Sequence, residues 1–234
     1  MKPLLGIIGG MGPRATVAFE QRLLDAINGN DQAIPAMITI NDGSIPDRSA
    51  YLCGDGDDPV PLIQHAIDTL EKCGATLLCM PCNTACAEPI FSRLQTTSAP
   101  LINLPQVVVQ ATSKQNIQSM YLLATSGTVM SRTYQAACAV SGMQCTAPGM
   151  QLQPVVDTLI ATIKRGQLSH ARVIAERLCA ILRATEHHTL LLGCTELPLV
   201  NEVFTRNGFT TIDTINVLAQ TCVTELRRTT YNAT

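Results

Sequence analysis

The sequence predicts an α/β protein built as two similar halves with a cleft between them, and three observations carry that prediction. Short apolar runs suited to buried strands alternate with longer stretches of helical periodicity. The order apolar run, Gly-containing turn, helix occurs at the N-terminus and again from Ser119; each occurrence leads on to a run that ends at a cysteine, Thr76 to Cys82 and His188 to Cys194. Roughly seventy residues separate each Gly turn from its cysteine turn, which reads as an internal duplication. No linker or low-complexity stretch intervenes, so the halves are expected to pack tightly.

Pro3 to Gly9 is the first strand, breaking into G-G-M-G-P-R-A-T, and Thr16 to Ile27 is the helix after it. Gly10, Gly12 and Ala15 satisfy a loose G-x-G-x-x-A dinucleotide fingerprint, but that pattern wants an acidic residue about 20 positions on, and Asp42 falls about thirty past Gly10. The glycines are expected instead as a close-approach turn that receives a small ligand. Ala36 to Asn41 is the second strand, and D-G-S-I-P-D-R-S follows it as a polar loop carrying Asp47 and Arg48, placed where binding groups are usually mounted. Cys53 to Pro61 is an acidic Gly/Pro-rich loop and a candidate lid. Pro59 to Cys73 is an amphipathic helix with Leu62, Ile63, Ala66, Ile67 and Leu70 on one face.

Past the Cys82 turn, Thr84 to Leu94 reads as a helix interrupted by Pro89, then Pro100 to Asn103 as a strand and Pro105 to Thr112 as a helix. The second half begins with a strand at Ser119 to Ala124, the turn T-S-G-T and a helix over Val129 to Val140. Gln151 to Arg165 and Ser169 to Ala184 are helices joined at Gly166, with Lys164 at the end of the first, where a cation is favourable in any case. Leu197 to Phe204 is short and helical, Phe209 to Ile212 a strand, and Thr214 to Arg227 a last helix expected to cross back onto the first half.

Composition narrows the partners. A net charge of -2 and 3% aromatic residues provide neither the basic field nor the stacking surface that nucleic-acid binding uses. No apolar run approaches a membrane span, and Leu4 to Ile8 is too short for a signal peptide. The ten cysteines have no framework spacing, so they are expected as reduced thiols in a cytoplasm.

The chemistry then turns on Cys82 and Cys194. Each sits at a strand-to-helix turn, where free N–H groups favour a thiolate and where open α/β sheets bind ligands. A single free cysteine is commonly a small buried hydrophobe, whereas two at matching turns argue for a site. Cys79, Cys82 and Cys86 form C-x-x-C-x-x-x-C, but no fourth metal ligand with its own short spacing follows, and Cys79 lies within a strand run. A redox pair is disfavoured because Cys79 precedes Pro81 in a strand, and no histidine stands near either thiol in sequence for a Cys/His hydrolase. Acid and base work on opposite faces of one carbon, with inversion, is the chemistry left for two thiols.

The motifs G-I-I-G-G-M-G-P-x-A-T, I-P-D-R, M-P-C-N-T-A, A-T-x-G-T, I-K-x-G and G-C-T-E-L-P-L resemble, in order and over nearly the whole chain, those of the aspartate/glutamate racemase family. The likeness is greatest to cofactor-independent aspartate racemases, because Glu196 follows C-T where glutamate racemases typically carry His. The resemblance implies two pseudo-symmetric parallel-sheet α/β domains with the active site in the cleft between them, divided as 1–103 plus 212–234 and 104–211. It also implies a homodimer, a small amino-acid substrate, and no pyridoxal phosphate or other cofactor. By motif position Cys82 and Cys194 are the catalytic pair. Arg48 and Lys164 match the cations associated with substrate carboxylates, and both are expected at the cleft edge. Asn83, Thr84 and Ala85 match the substrate loop, with Met11, Thr125, Thr195 and Glu196 as further contacts. Cys86 departs from the family, standing where aspartate racemases commonly have His. Aspartate is the first expected substrate; glutamate, a wider amino-acid range, an epimerised ring substrate and a non-catalytic ligand-binding relative are the alternatives.

Overall fold

The computed structural model describes residues 3–27 and 31–231; the outermost parts of the expected first domain, 1–2 and 232–234, and residues 28–30 lie outside them. Strand β1 (Leu4–Gly9) is apolar along its length and buried from its second residue on, as a strand covered on both faces must be. It is followed by α1 (Pro13–Ala26), which starts three residues before the expected helix because Pro13 occupies its first turn, where a missing N–H costs nothing. Then come β2 (Ala36–Asn41), α2 (Arg48–Cys53), α3 (Val60–Lys72) and β3 (Leu77–Cys79). Next are α4 (Glu88–Phe91), α5 (Leu104–Ser113), β4 (Ser119–Leu123), α6 (Ser126–Met130), α7 (Thr133–Val140) and β5 (Gln144–Thr146). The chain finishes with α8 (Gln153–Lys164), α9 (Leu168–Leu182), β6 (Thr189–Leu192), α10 (Asn201–Arg206), β7 (Thr210–Asp213) and α11 (Thr214–Tyr231).

All strand pairs are parallel. One sheet has the order β2-β1-β3 and the other β5-β4-β6-β7. The two repeat each other, with the first strand of each half at the centre. The counterpart of β7 in the first sheet shrinks to one bridge, Leu78 to Leu101, so the expected strand at Pro100 to Asn103 is not formed as a strand. Asn103 is used instead to cap α5, its side chain accepting from Gln106 N at 3.2 Å. Strand β5 was not legible in the sequence: Q-C-T is three residues long and mostly exposed. Helix α11 packs on α1, α5 and β3, which carries the end of the chain onto the first sheet directly after β7 has paired in the second.

Two expected helices are divided, the first of them close to the Pro89 expected to interrupt it. Thr84 to Leu94 forms a short 3-10 turn at Thr84–Cys86 and then α4, with Ala87 extended between them. Pro89 inside one continuous helix would remove a bond and press its ring on the carbonyl four residues back; at the start of a new helix it does neither. Val129 to Val140 is divided between α6 and α7 at Arg132, which is left-handed (φ 54°). The T-S-G-T turn is itself the beginning of α6, with Thr125 as its N-cap.

Two glycines decide how closely backbones meet. Gly10 has φ +90°, and a Cβ there would lie 2.0 Å from Asp42 O, so the close approach in the first Gly turn is to the end of β2. At Gly127 a Cβ would lie 2.7 Å from Ser49 Cα, so α6 of one half meets α2 of the other backbone to backbone.

Away from the cleft, Glu71 fastens the turn at 97–99 to α3. Its carboxylate accepts from Thr97 N, Ser98 N and Ala99 N at 2.7 to 3.1 Å and from the Thr97 hydroxyl at 2.7 Å. Desolvation alone would raise this carboxyl, but those donors outweigh it and hold it at about 2. A folded-state value below the unfolded one, about 4.3, gives stability that is present above the unfolded value and lost as pH falls toward the folded one. We expect Glu71→Gln to lower stability at pH 7 by about 1 kcal/mol, the low end for bonds to a charged acceptor because the site is partly exposed. Chemical denaturation should show the difference from the parent shrinking below about pH 4; a constant difference would mean that the carboxylate charge is not what holds the turn.

Candidate active site

Cys82 and Cys194 are reached by equivalent routes. Just past β3 a tight turn is closed by Cys82 N donating to Met80 O at 2.7 Å, and at the end of β6 Gly193 N donates to Leu191 O at 2.9 Å. Turns of this size stop a strand abruptly and put the following side chain at its carboxyl end. Each cysteine is anchored in a different hydrophobic core, Cys82 with the first half and Cys194 with the second. They are 4% and 6% exposed, and both line one pocket between the halves.

The remaining walls are Met11, Asp47, Arg48, Ser49, Asn83, Thr84, Thr125, Lys164, Thr195 and Glu196. Of the residues expected as catalytic or substrate-contacting, Ala85 is the one outside this lining; it is fully buried in the first core, as its methyl side chain allows. The sequence marks Asp47 only as part of the polar loop that carries Arg48, and it assigns Ser49 no role. Both were concealed because a D-R-S tripeptide after a proline has no spacing that distinguishes a lining residue from a solvated one.

Arg48 is 7% exposed, so it is neither a solvated charge nor at the cleft edge. Asp47 caps α2 through Ala50 N and thereby starts the helix at Arg48. The guanidinium donates from Nη1 to Ile45 O (3.1 Å) and Pro46 O (2.9 Å), and from Nη2 to Met11 O (2.9 Å). Its buried Nε has no hydrogen-bond partner among the described residues, which leaves a fixed cationic donor at the pocket wall unsatisfied. Lys164 is more exposed and reaches the pocket from the end of α8. Desolvation lowers its pKa, but Cys194 and Glu196 outweigh that and leave it raised, so it stays a cation.

Glu196 is 2% exposed, and its Oε2 lies 3.0 Å from the Cys194 sulfur and 3.3 Å from the Thr195 hydroxyl, both of which donate to it. Burial first, and then the Glu196 carboxylate, push the Cys194 thiol well above its ordinary value, with Lys164 pulling the other way. The resting Cys194 therefore holds its proton. Opposite it, the hydroxyls of Thr84, Thr125 and Thr128 form a closed triangle with sides of 2.9 to 3.1 Å. Asn83 contributes to the lining, yet its side chain is turned to Tyr134 and Thr214. Cys86, beside Cys82, is pushed far up by burial and then by Cys82, so it stays protonated. The long helix expected behind Cys82 is absent, so a helix dipole cannot be its main activating influence. Among the described residues no group of three or more His, Cys, Asp or Glu could hold a metal ion.

A family profile described as Asp/Glu/Hydantoin racemase matches residues 8–222. The chain belongs to that family. It is a racemase by membership, of the isomerase class, acting on amino-acid substrates. Among solved structures it is similar to Picrophilus torridus aspartate racemase, with 28% identity, a TM-score of 0.87 and coverage of 96% of this chain and 94% of that one. Glutamate racemase isoform RacE1 from Bacillus anthracis shares the fold (TM-score 0.73) at 16% identity, over 97% of this chain and 82% of that one. In sequence, the broad specificity amino-acid racemase RacX of Bacillus subtilis is 24% identical over 84% of this chain and 87% of its own length. These likenesses agree with the expected α/β architecture of two parallel-sheet regions. No helix among the described residues is long and apolar enough to cross a membrane.

Proposed function

We propose that this racemase interconverts L- and D-aspartate by two-thiol proton transfer at Cα, without pyridoxal phosphate or a metal. What supports it is the meeting of Cys82 and Cys194, one from each half, in a single small pocket that also holds two cations. The thiolate of one cysteine takes the Cα proton and becomes a thiol, leaving the electron pair delocalised into the α-carboxylate. The thiol of the other gives its proton to the opposite face and becomes a thiolate, so each turnover exchanges the two protonation states. Because Cys194 rests as a thiol, it is the acid in the direction that begins with Cys82 as base. The reverse direction starts from the state this turnover leaves, Cys194 as thiolate and Cys82 as thiol, so the same two groups carry it with their roles exchanged.

Aspartate brings two carboxylates, and abstraction adds charge to one of them. Arg48 and Lys164 supply positive charge fixed before the reaction, and the Thr84 and Thr125 hydroxyls line the same pocket. The likeness to Picrophilus torridus aspartate racemase favours the same substrate. A wider range is the second reading, favoured by the alignment with the broad specificity racemase along most of both chains. The test is incubation of chelator-dialysed protein, free of pyridoxal absorbance, with L-aspartate, L-glutamate or L-alanine in deuterated water, followed by NMR and chiral chromatography. Cα deuteration and the D-enantiomer are expected from aspartate first. Comparable turnover of alanine would replace the aspartate reading with the broad one, and no exchange from any substrate, or strict dependence on an added cofactor, would overturn the mechanism.

A further inference from the structure

Behind the pocket, in a buried layer, three hydrogen bonds run head to tail, and the last two of them link the two cysteine turns. Tyr134 on α7 is completely buried and its hydroxyl donates to Asn83 Oδ1. Asn83 Nδ2 donates to Thr214 Oγ1 at 3.2 Å, and Thr214 Oγ1 donates to Leu192 O at 3.0 Å. Asn83 is the residue after Cys82, and Leu192 lies two residues before Cys194. Thr214, completely buried, is the first residue of α11, at the crossing from one sheet to the other.

The polarity of this chain leaves no freedom. Thr214 has a single proton, given to Leu192, so toward Asn83 it can act as acceptor. That turns the Asn83 amide nitrogen to Thr214 and its oxygen to Tyr134. Burial holds the Tyr134 phenol well above its ordinary pKa, so it remains a donor. Phe and Val would fill the same space without the cost of burying polar groups, and that cost is recovered only when every member is paired. What the pairing adds is a measured strut from the Cys82 turn in the first half to the backbone just ahead of Cys194 in the second.

We infer that Tyr134 and Thr214 are positioning residues that, through Asn83, set the separation of the Cys82 and Cys194 thiols. The inference deepens the two-thiol reading of the site and rests on it. Proton transfer on opposite faces of one carbon needs both sulfurs in place within one intermediate lifetime, and a misplacement of about 1 Å costs on the order of a hundredfold. Loosening the strut affects the coupling between abstraction on one face and return on the other more than abstraction itself.

The test compares Tyr134→Phe, Thr214→Val and Thr214→Ser with the parent, using L-aspartate in deuterated water. Two quantities are followed together, deuterium entering unreacted L-aspartate and D-aspartate formed. Tyr134→Phe and Thr214→Val are expected to slow D-aspartate formation about tenfold or more with little change in KM, while deuterium wash-in falls less, so the ratio of wash-in to racemisation rises severalfold. Thr214→Ser keeps the hydroxyl and is expected to restore the parental ratio. A purely structural role would scale both rates together, and an unchanged ratio in folded variants of an active parent would overturn the positioning role alone. If Tyr134→Phe does not fold, the Thr214→Val and Thr214→Ser pair decides by the same ratio. A parent that neither exchanges nor racemises aspartate would overturn the racemisation reading, and the strut's role with it.

Discussion

Cys82→Ala and Cys194→Ala are each expected to lower aspartate racemisation by about a thousandfold or more, the upper range for loss of a positioned acid or base. One remaining thiolate can still take a proton from the face it touches, so each variant should keep deuterium wash-in for one enantiomer and lose it for the other. The enantiomer that survives in each variant assigns each cysteine to a face. Cys86→Ala should retain most of the activity, because that buried thiol is held protonated and is absent from the pocket lining. Initial rates on both enantiomers, with circular dichroism as the folding control, measure this. Near-parental racemisation in either of the first two variants would remove that residue from the mechanism.

The same pair fixes the form of the pH profile. Activity needs one thiolate and one thiol, so the rate rises as the pair loses its first proton and falls as it loses the second, with apparent values that belong to the pair. Burial and the Glu196 carboxylate raise Cys194, which puts the falling limb above the ordinary thiol range of about 8.5. Removing a negative charge beside a thiol makes its thiolate easier to form. Glu196→Gln should therefore move the falling limb to lower pH, and an unmoved limb would mean that Glu196 does not govern the titration.

Arg48→Lys is expected to cut kcat/KM for aspartate by about tenfold to a thousandfold, the loss of one charge-assisted, geometrically fixed contact. The three protons of a lysine could at best replace the bonds to Met11, Ile45 and Pro46, leaving none for the substrate. Arg48→Ala is the poorer test. It would strip three carbonyls of their donor at a buried position, at a stability cost of about 1 to 3 kcal/mol, so the expected place at the cleft edge does not survive the structure. Lys164→Ala, at an exposed helix end, should lose a similar factor in kcat/KM with the melting temperature almost unchanged. If folded Arg48→Lys and Lys164→Ala both handle aspartate like the parent, the proposed carboxylate clamp is wrong.

The central strands were legible because β1, β4 and β6 are apolar runs ended by sharp breakers, and a strand buried on both faces has few other spellings. The repeated order of run, turn and cysteine likewise marks two halves in the sequence itself. In the sequence Cys82 and Cys194 stand out at matching turns, whereas Arg48 and Lys164 become candidates only through the resemblance of I-P-D-R and I-K-x-G to the family's motifs. Two features depended on distant contacts. Arg48 is buried because Met11, Ile45 and Pro46 turn their carbonyls to it, and Met11 is far away in sequence. The strut from Tyr134 through Asn83 and Thr214 to Leu192 joins residues from four separate elements, each of which reads alone as an ordinary core or cap residue. Local spacing determines which backbone an element adopts and which face it buries; the direction of a buried polar group is decided by whichever distant donor or acceptor the fold brings to it, because inside a dry core no water can take that partner's place.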